Sequence, residues 1–329
     1  MFRKGLLLIV SIIFFSLPFS GTLFAQTAGQ ISVDIIPQNP GPDETVTIYL
    51  KSYSFNINTA YIEWSADGIM QKGGVGVTSF KVTTKKLGDT TQVAAKITPT
   101  GSIPIIKNIS ITPMSVDILW QATDSIVPPF YKGKAMPTSE SKIKLVALPQ
   151  IVSVSGNRVA PEVLVYNWKE EYQNKQASSG YGKNFFFTEM DYLNTQKNVS
   201  VDVSSRDGGI ATRGFVDVSS VDPELRLYAS SPLYGPLTDT ELTDSFTVST
   251  SDISIVAMPY FFSPGNPSSS LLEYKWQLNG SPIGTPAIPN ALFLHRESNS
   301  TGNATLELVV TNITKLFQSG TARLNLTLQ

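Results

Sequence analysis

Beyond residue 30 the chain is written in a period of two. Val46, Ile48 and Leu50 alternate with polar neighbours, as do Ile143, Leu145 and Ala147, and then Ile253, Ile255 and Ala257. Farther along come Val93, Ala95 and Ile97, then Val199, Val201 and Val203, then Leu306, Leu308 and Val310. Closing runs stand at Ile109 and Ile111, at Val216 and Val218, and at Leu324, Leu326 and Leu328. Alternation of this kind puts the apolar set on one face of a strand and predicts sheets with one buried face. Gly, Pro, Asn and Asp punctuate the runs, and no sustained helical period appears.

The runs recur in the same order three times. Between the early and late strands of each copy lies a motif ending in tryptophan: Ile62-Glu63-Trp64, Tyr166-Asn167-Trp168 and Tyr274-Lys275-Trp276. Ser32-Val33-Asp34-Ile35, Ser115-Val116-Asp117-Ile118 and Ser220-Val221-Asp222 open the copies. A repeat of roughly 100 residues is a domain repeat, too long for a solenoid. Several short strands per copy, with a tryptophan on a central strand, predict an all-β chain of three tandem immunoglobulin-like β-sandwich domains. Their expected limits are residues 30–113, 114–219 and 220–329, with very short linkers and a semi-rigid rod as the result. Trp64, Trp168 and Trp276 are the expected structural core, each burying on the order of 200 Å².

Turn chemistry agrees in two copies. Asp67-Gly68 and Asn279-Gly280 follow their tryptophans as hairpin signals. In the second copy the polar stretch from Lys169 to Gln176 predicts a longer hairpin, with Glu170-Glu171 at a solvated tip. Gly73-Gly74-Val75-Gly76 and Gly180-Tyr181-Gly182-Lys183 lead into strand patterns and are expected as loops before a core strand. A phosphate loop would need a helix N-terminus there.

The first 25 residues differ. Arg3 and Lys4 precede an apolar run from Gly5 to about Phe19, and Leu23-Phe24-Ala25 closes it. That is the organisation of a secretory signal peptide, with an uncleaved signal anchor as the alternative. Its apolar core, about fifteen residues, is short of the ~20 that span a bilayer. The chain is therefore expected to be extracytoplasmic: secreted, at the cell surface or periplasmic, and membrane-associated only through that segment.

Composition narrows the chemistry. The 329 residues hold 25 Lys and Arg against 26 Asp and Glu, a net charge of −1, so no basic footprint for nucleic acid is present. Cysteine is absent and His295 is the one histidine, which removes thiol nucleophiles, Cys-based zinc sites and multi-His metal sites. Asp67, Asp207 and Asp222 lack the Asp-x-Asp-x-Asp spacing of a calcium loop. No catalytic, metal or cofactor site is expected, and the chain reads as a non-enzyme.

The Trp-x-x-(Asn/Asp)-Gly hairpin and the segment Asn39-Pro40-Gly41-Pro42-Asp43-Glu44-Thr45-Val46 resemble the bacterial Ig-like and PKD-like domains of exported multi-domain surface proteins. The PKD signature Trp-Asp-Phe-Gly-Asp-Gly is absent. The resemblance implies a stalk, adhesin or envelope component and carries over no catalytic residue. It fits a spacer with an adhesion or assembly role and envelope or surface proteins as partners. A carbohydrate-binding protein using exposed aromatics is an alternative, and a periplasmic part of a larger envelope complex is another.

Two sets of aromatic residues are candidates for contacts. Phe185-Phe186-Phe187 and Tyr260-Phe261-Phe262 each put three rings in a row, and the middle ring of a strand trio faces away from its neighbours. Expected partner or glycan contacts are Tyr172, Tyr181 and Phe186, then Tyr260 and Phe262. The second and third copies also carry an aromatic and proline insertion that the first lacks, with Trp120, Phe130 and Tyr131 in one and Tyr228 and Tyr234 in the other. These residues are expected either to pack on the preceding domain or to stay in their own core behind a proline kink.

Replacing Trp64, Trp168 or Trp276 by Ala should destabilise its own sandwich by about 3–5 kcal/mol. Urea unfolding followed by the remaining tryptophans checks it, and an unchanged transition would place that ring outside the core.

Overall fold

In a chain with this alternation, strands form because each can bury one face against a second sheet while the ladder satisfies its main chain. The computed structural model describes residues 31–153, 157–208, 210–297 and 301–329. The expected signal segment, Met1 to Ala25, lies outside them. Among the described residues the chain is all-β, and no helix is long and apolar enough to cross a membrane.

The first strands are β1 (Ile31–Ile36), β2 (Thr45–Ser52), β3 (Tyr61–Ala66), β4 (Ile69–Val75), β5 (Ser79–Thr83), β6 (Thr91–Thr98) and β7 (Ile105–Ile111). They form the sheets β1-β2-β5 and β4-β3-β6-β7. Next come β8 (Ser115–Ala122), β9 (Lys142–Gln150), β10 (Val165–Glu170), β11 (Gln173–Asn174), β12 (Gly180–Tyr181), β13 (Phe185–Glu189), β14 (Gln196–Ser204) and β15 (Ala211–Ser219). Their sheets are β13-β9-β8 and β11-β10-β14-β15, with β12 also on β10. The last set is β16 (Glu224–Ser231), β17 (Gly235–Glu241), β18 (Ser245–Val248), β19 (Asp252–Tyr260), β20 (Leu272–Leu278), β21 (Ser281–Pro282), β22 (Ala291–His295), β23 (Gly302–Asn312) and β24 (Ser319–Leu328). These make the sheets β17-β16-β19-β22 and β18-β24-β23-β20-β21, in which β18 runs parallel to β24.

The described chain divides into two compact units. One holds residues 31–35, Thr47–Lys81 and Gln92–Ile109; the other holds Ile36–Val46, Val82–Thr91 and Ser110–Gln329. The second and third sandwiches therefore lie in the same unit.

Each tryptophan sits at the same place. Trp64, Trp168 and Trp276 face Ala95, Val201 and Leu308 across the ladder, and all three are buried. Trp64 stacks on Phe80 at 5.3 Å and Trp168 on Phe186 at 5.6 Å, joining the two sheets of each sandwich. A buried indole must also place its N–H. Nε1 donates to the carbonyl of Val77, Lys183 and Pro289 at 2.8, 2.9 and 2.9 Å. In every sandwich that bond ties down the segment leading into the strand β5, β13 or β22.

The three hairpins after the tryptophans are equally tight. Ala66 faces Ile69, Glu170 faces Gln173 and Leu278 faces Ser281, leaving two-residue turns. Both turn residues have positive φ: Asp67 and Gly68, Glu171 and Tyr172, Asn279 and Gly280. The longer hairpin expected after Trp168 is thus corrected. What holds it is a clamp shared by all three turns. The N–H of Asp67, Glu171 and Asn279 donates to the carbonyl of Gln92, Asn198 and Thr305. The side-chain oxygen of each turn residue accepts the N–H of that same partner, at 3.2, 2.7 and 2.8 Å. A second correction concerns the glycines. Gly73 and Gly74 lie inside β4, and Gly180 with Tyr181 forms β12. Across the ladder Gly73 faces Glu63, and a Cβ there would come within 3.0 Å of the Met70 methyl.

Tyr172, at φ 65°, is a bulky residue in a region that disfavours L side chains by roughly 1–2 kcal/mol. Tyr172→Gly should raise stability by about 1 kcal/mol, seen as a higher urea midpoint with unchanged slope. A lower midpoint would mean that the ring itself makes a stabilising contact.

Candidate functional site

Strand β13 decides which rings reach solvent. Phe186 faces Leu145 across the ladder, and both point inward. Phe185 and Phe187 therefore point out, 49% and 55% exposed, with their rings edge to face at 5.9 Å. The ladder carries this surface across the sheet: Phe185 faces Val146, and Val146 faces Leu119. Exposed Leu148 extends it along β9, and the ammonium of Lys144 stands 5.8 Å from the Phe187 ring centre. Contiguous apolar surface of this kind marks contact sites on soluble proteins.

Phe186 is thereby corrected from surface candidate to core, stacked on Trp168. Tyr260 and Phe262 are corrected too, since both are buried. Tyr260 packs against Tyr228 inside the third sandwich, and Phe261 has φ 64°, which breaks the strand alternation. Tyr172 (86% exposed) and Tyr181 do reach solvent. They sit at opposite ends of β10, because Tyr181 faces Val165 and Tyr172 follows Glu170. The gap is on the order of 17–20 Å, too wide for one sugar ring to touch both.

The insertion residues divide. Trp120 packs on the core of the second sandwich, with the Lys134 ammonium 3.5 Å above its ring and pushed down in pKa by burial. Tyr228 lies in the core of the third sandwich; Phe130 and Tyr234 are exposed. Of these five, Tyr131 reaches another sandwich, the following one rather than the preceding one, through an edge contact to Phe261 at 6.3 Å.

Beside it stands a residue the sequence did not single out. Ile126, from the same insertion, is buried in the core of the third sandwich. Its N–H donates to Phe262 O at 3.0 Å, and Phe261 N–H donates to Ile126 O at 2.7 Å. A buried polar group completes the junction. Thr138 Oγ1 donates to Phe261 O, and the Ser141 hydroxyl meets that of Ser263 at 3.3 Å. Gln318 accepts from the Ser263 N–H at 2.9 Å and donates to Ser139 O at 2.7 Å. The Asn312 amide reaches both Ser263 O and Gln318 Oε1. Because these groups are buried and partnered, removing one member orphans others at about 1–3 kcal/mol each. The two sandwiches are locked by that requirement.

The bases of the second and third sandwiches differ in chemistry. In the second, Glu170 is buried and accepts from Lys197 at 2.5 Å, from Thr188 at 2.6 Å and from Lys175. This corrects the solvated tip expected for Glu170, which ends β10; the turn itself is Glu171 and Tyr172. Burial pushes the Glu170 carboxyl up, but the bonds from Lys175, Lys197 and Thr188 outweigh it and hold the pKa at about 2. By register, Leu278, Leu294 and Ala304 occupy the places of Glu170, Thr188 and Lys197 in the third sandwich. There a cavity of about 280 Å³ opens, lined by Ile253, Leu278, Leu294, Ala304, Leu326 and Leu328 among others.

His295 ends β22 with Nδ1 2.7 Å from Asp252 Oδ1, while Ser251 Oγ bonds the other oxygen of that carboxylate at 2.9 Å. A Ser–His–Asp relay needs the serine on the imidazole; here serine and imidazole both lean on the acid. Asp67 serves its turn, and Asp207 accepts from Ser205 Oγ at 2.5 Å.

No family model matches the chain, and no curated protein matches it. Among solved structures it is similar to three N-terminal domains of the Highly Immunogenic Outer Capsid protein of bacteriophage RB49, at 11% identity over 91% of this chain and 99% of that one, with a TM-score of 0.26. It is also similar to fibronectin(III)-like modules of CbhA from Clostridium thermocellum, at 14% identity over 57% and 94%, TM-score 0.27. A third is the central fibronectin-III array of RIM-binding protein, at 11% identity over 86% and 92%, TM-score 0.30. At such scores the fold rests on the sheet pairing and cores described above.

A carboxyl held at about 2 against an ordinary 4.5 stabilises the fold above pH 4.5 and ceases to as pH falls toward 2. Glu170→Gln should remove that part of the acid sensitivity. At pH 7 it should lower stability by about 1–3 kcal/mol, because buried Lys197 loses its shorter ion pair and keeps only the 3.5 Å contact to Asp191. Urea midpoints between pH 2 and 7 check both, and parallel profiles for the two proteins would sink the assignment.

Proposed function

We propose that this chain is a non-catalytic, exported surface or envelope protein of three tandem immunoglobulin-like domains, at residues 30–113, 114–219 and 220–329. It acts as a spacer that presents an adhesion or assembly contact, and its partner is a protein. The observation that carries this reading is the outward face of β13, β9 and β8, with Phe185, Phe187, Leu119 and Leu148 open to solvent. That face stands on a unit whose second and third sandwiches are locked together, so a contact made there is held on a stiff support.

A protein partner suits the face better than a glycan. Its two rings lie at 72° to one another, whereas a pyranose stacks on a flat platform. Lys144 at the margin supplies a polar anchor beside apolar area, the mixture found in protein interfaces. The carbohydrate reading keeps one observation of its own, the exposure of Tyr172 and Tyr181.

A photo-crosslinking side chain at position 187 of the full chain, on intact producing cells, should trap one defined envelope or surface protein. Phe185→Ser should reduce that yield at least tenfold while shifting stability by no more than about 0.5 kcal/mol. Binding on a glycan array that is lost with Tyr172→Ala or Tyr181→Ala, with no protein trapped, would favour the carbohydrate reading instead.

A further inference from the structure

The structure assigns a second contact to the third sandwich, independent of the Phe185 face: the free edge of β22 takes up an extended apolar peptide segment of a partner as an added strand. β22 ends its sheet, with β19 as its one neighbour among the described residues. Two bonds fix which way its main chain faces. Ala257 N–H donates to Asn290 O at 2.8 Å, and Arg296 N–H donates to Ser251 O at 2.7 Å. In an antiparallel ladder every second residue turns both main-chain groups to the same neighbour. Asn290, Leu292, Leu294 and Arg296 therefore face β19, and Ala291, Phe293 and His295 face away from it. Ala291 N–H is taken by Ile288 O at 2.9 Å. The outward groups left are Ala291 C=O and the N–H and C=O of Phe293 and His295.

Natural sheets guard such edges with lysine, proline, bulges or a covering loop. Ala-Leu-Phe-Leu-His has no such guard, and Phe293 is 65% exposed. Alongside the strand runs a groove of about 450 Å³ instead of a cover. Its wall is the segment holding Ile283, Pro286, Ala287 and Ile288, fixed from behind by the Trp276 bond to Pro289 O. Phe293 and Ser254 line the other side.

The occupant follows from two complementarities. A row of alternating N–H and C=O dipoles has as its electrostatic complement another row of the same kind, which only an extended peptide presents. The groove beside it carries no charged side chain, so the side chains it takes are uncharged and apolar. Five residues from Ala291 to His295, at ~3.3 Å each, match a segment of about five residues. The corresponding strand of the second sandwich, β13, has the same outward parity but has the short turn Gln176–Ser178 beside it. The groove belongs to β22.

Fluorescein-labelled Thr-Val-Thr-Val-Thr amide, titrated into the full chain by anisotropy, tests this. Saturable binding below about 1 mM is expected. N-methylation of one alternate set of amides should weaken it at least tenfold, and methylation of the other set far less, since only one set faces the edge. Phe293→Ser should weaken binding at least tenfold with an unchanged urea midpoint, and Ile288→Asp should do the same from the opposite wall. No saturable binding, equal effects of both methylation patterns, or indifference to both substitutions would each overturn the assignment. None of these outcomes touches the Phe185 face, which the crosslinking at position 187 tests separately.

Discussion

A buried indole has volume to fill and one N–H to place, and most of this architecture follows from meeting both needs three times. The ring bridges the two sheets. The N–H takes a carbonyl 13 to 15 residues later, at Val77, Lys183 and Pro289. That bond sets where the next strand starts, and so where β5, β13 and β22 lie at the edge of their sheets. Both contact surfaces argued above, the Phe185–Phe187 face and the β22 groove, stand on strands positioned in this way. Core and contact surface are linked through a single hydrogen bond in each sandwich.

The repeats diverge where the core reaches the base. Glu170, Thr188 and Lys197 close the second sandwich with a buried ion pair, which is stable only while every partner is present. Leu278, Leu294 and Ala304 stand in the same places in the third and leave an apolar opening. One fold position thus carries either a satisfied polar cluster or half-buried aliphatic surface. The first resists rearrangement through electrostatics. The second is held by packing alone.

The junction of the second and third sandwiches uses both kinds of force. Ile126 crosses into the neighbouring core, and its main chain makes two hydrogen bonds there. Around it Thr138, Ser141, Ser263, Asn312 and Gln318 form one buried hydrogen-bond network with one another and with neighbouring main-chain groups. An apolar plug supplies the burial and the polar group supplies the orientation, since only one alignment pairs every donor. Here the aromatic and proline insertion finds its use, though mainly through an isoleucine.

Residue order alone carried a great deal. Period-two runs named the strands and their buried faces, because a one-residue slip would expose an entire apolar set. The repeat of those runs around Trp64, Trp168 and Trp276 gave the all-β sandwich architecture. Other features were decided only in three dimensions. Alternation required Phe186 to oppose Phe185 and Phe187, yet which side was inward depended on pairing with Leu145 in a strand forty residues away. The Glu171-Tyr172 turn carries no turn signal, because a clamp to Asn198 imposes it against local preference. Ile126 looked like an ordinary loop residue until another sandwich closed over it. Local pattern reports which face a residue takes within its own element; what meets that face is set by distant chain, and sequence spacing does not record it.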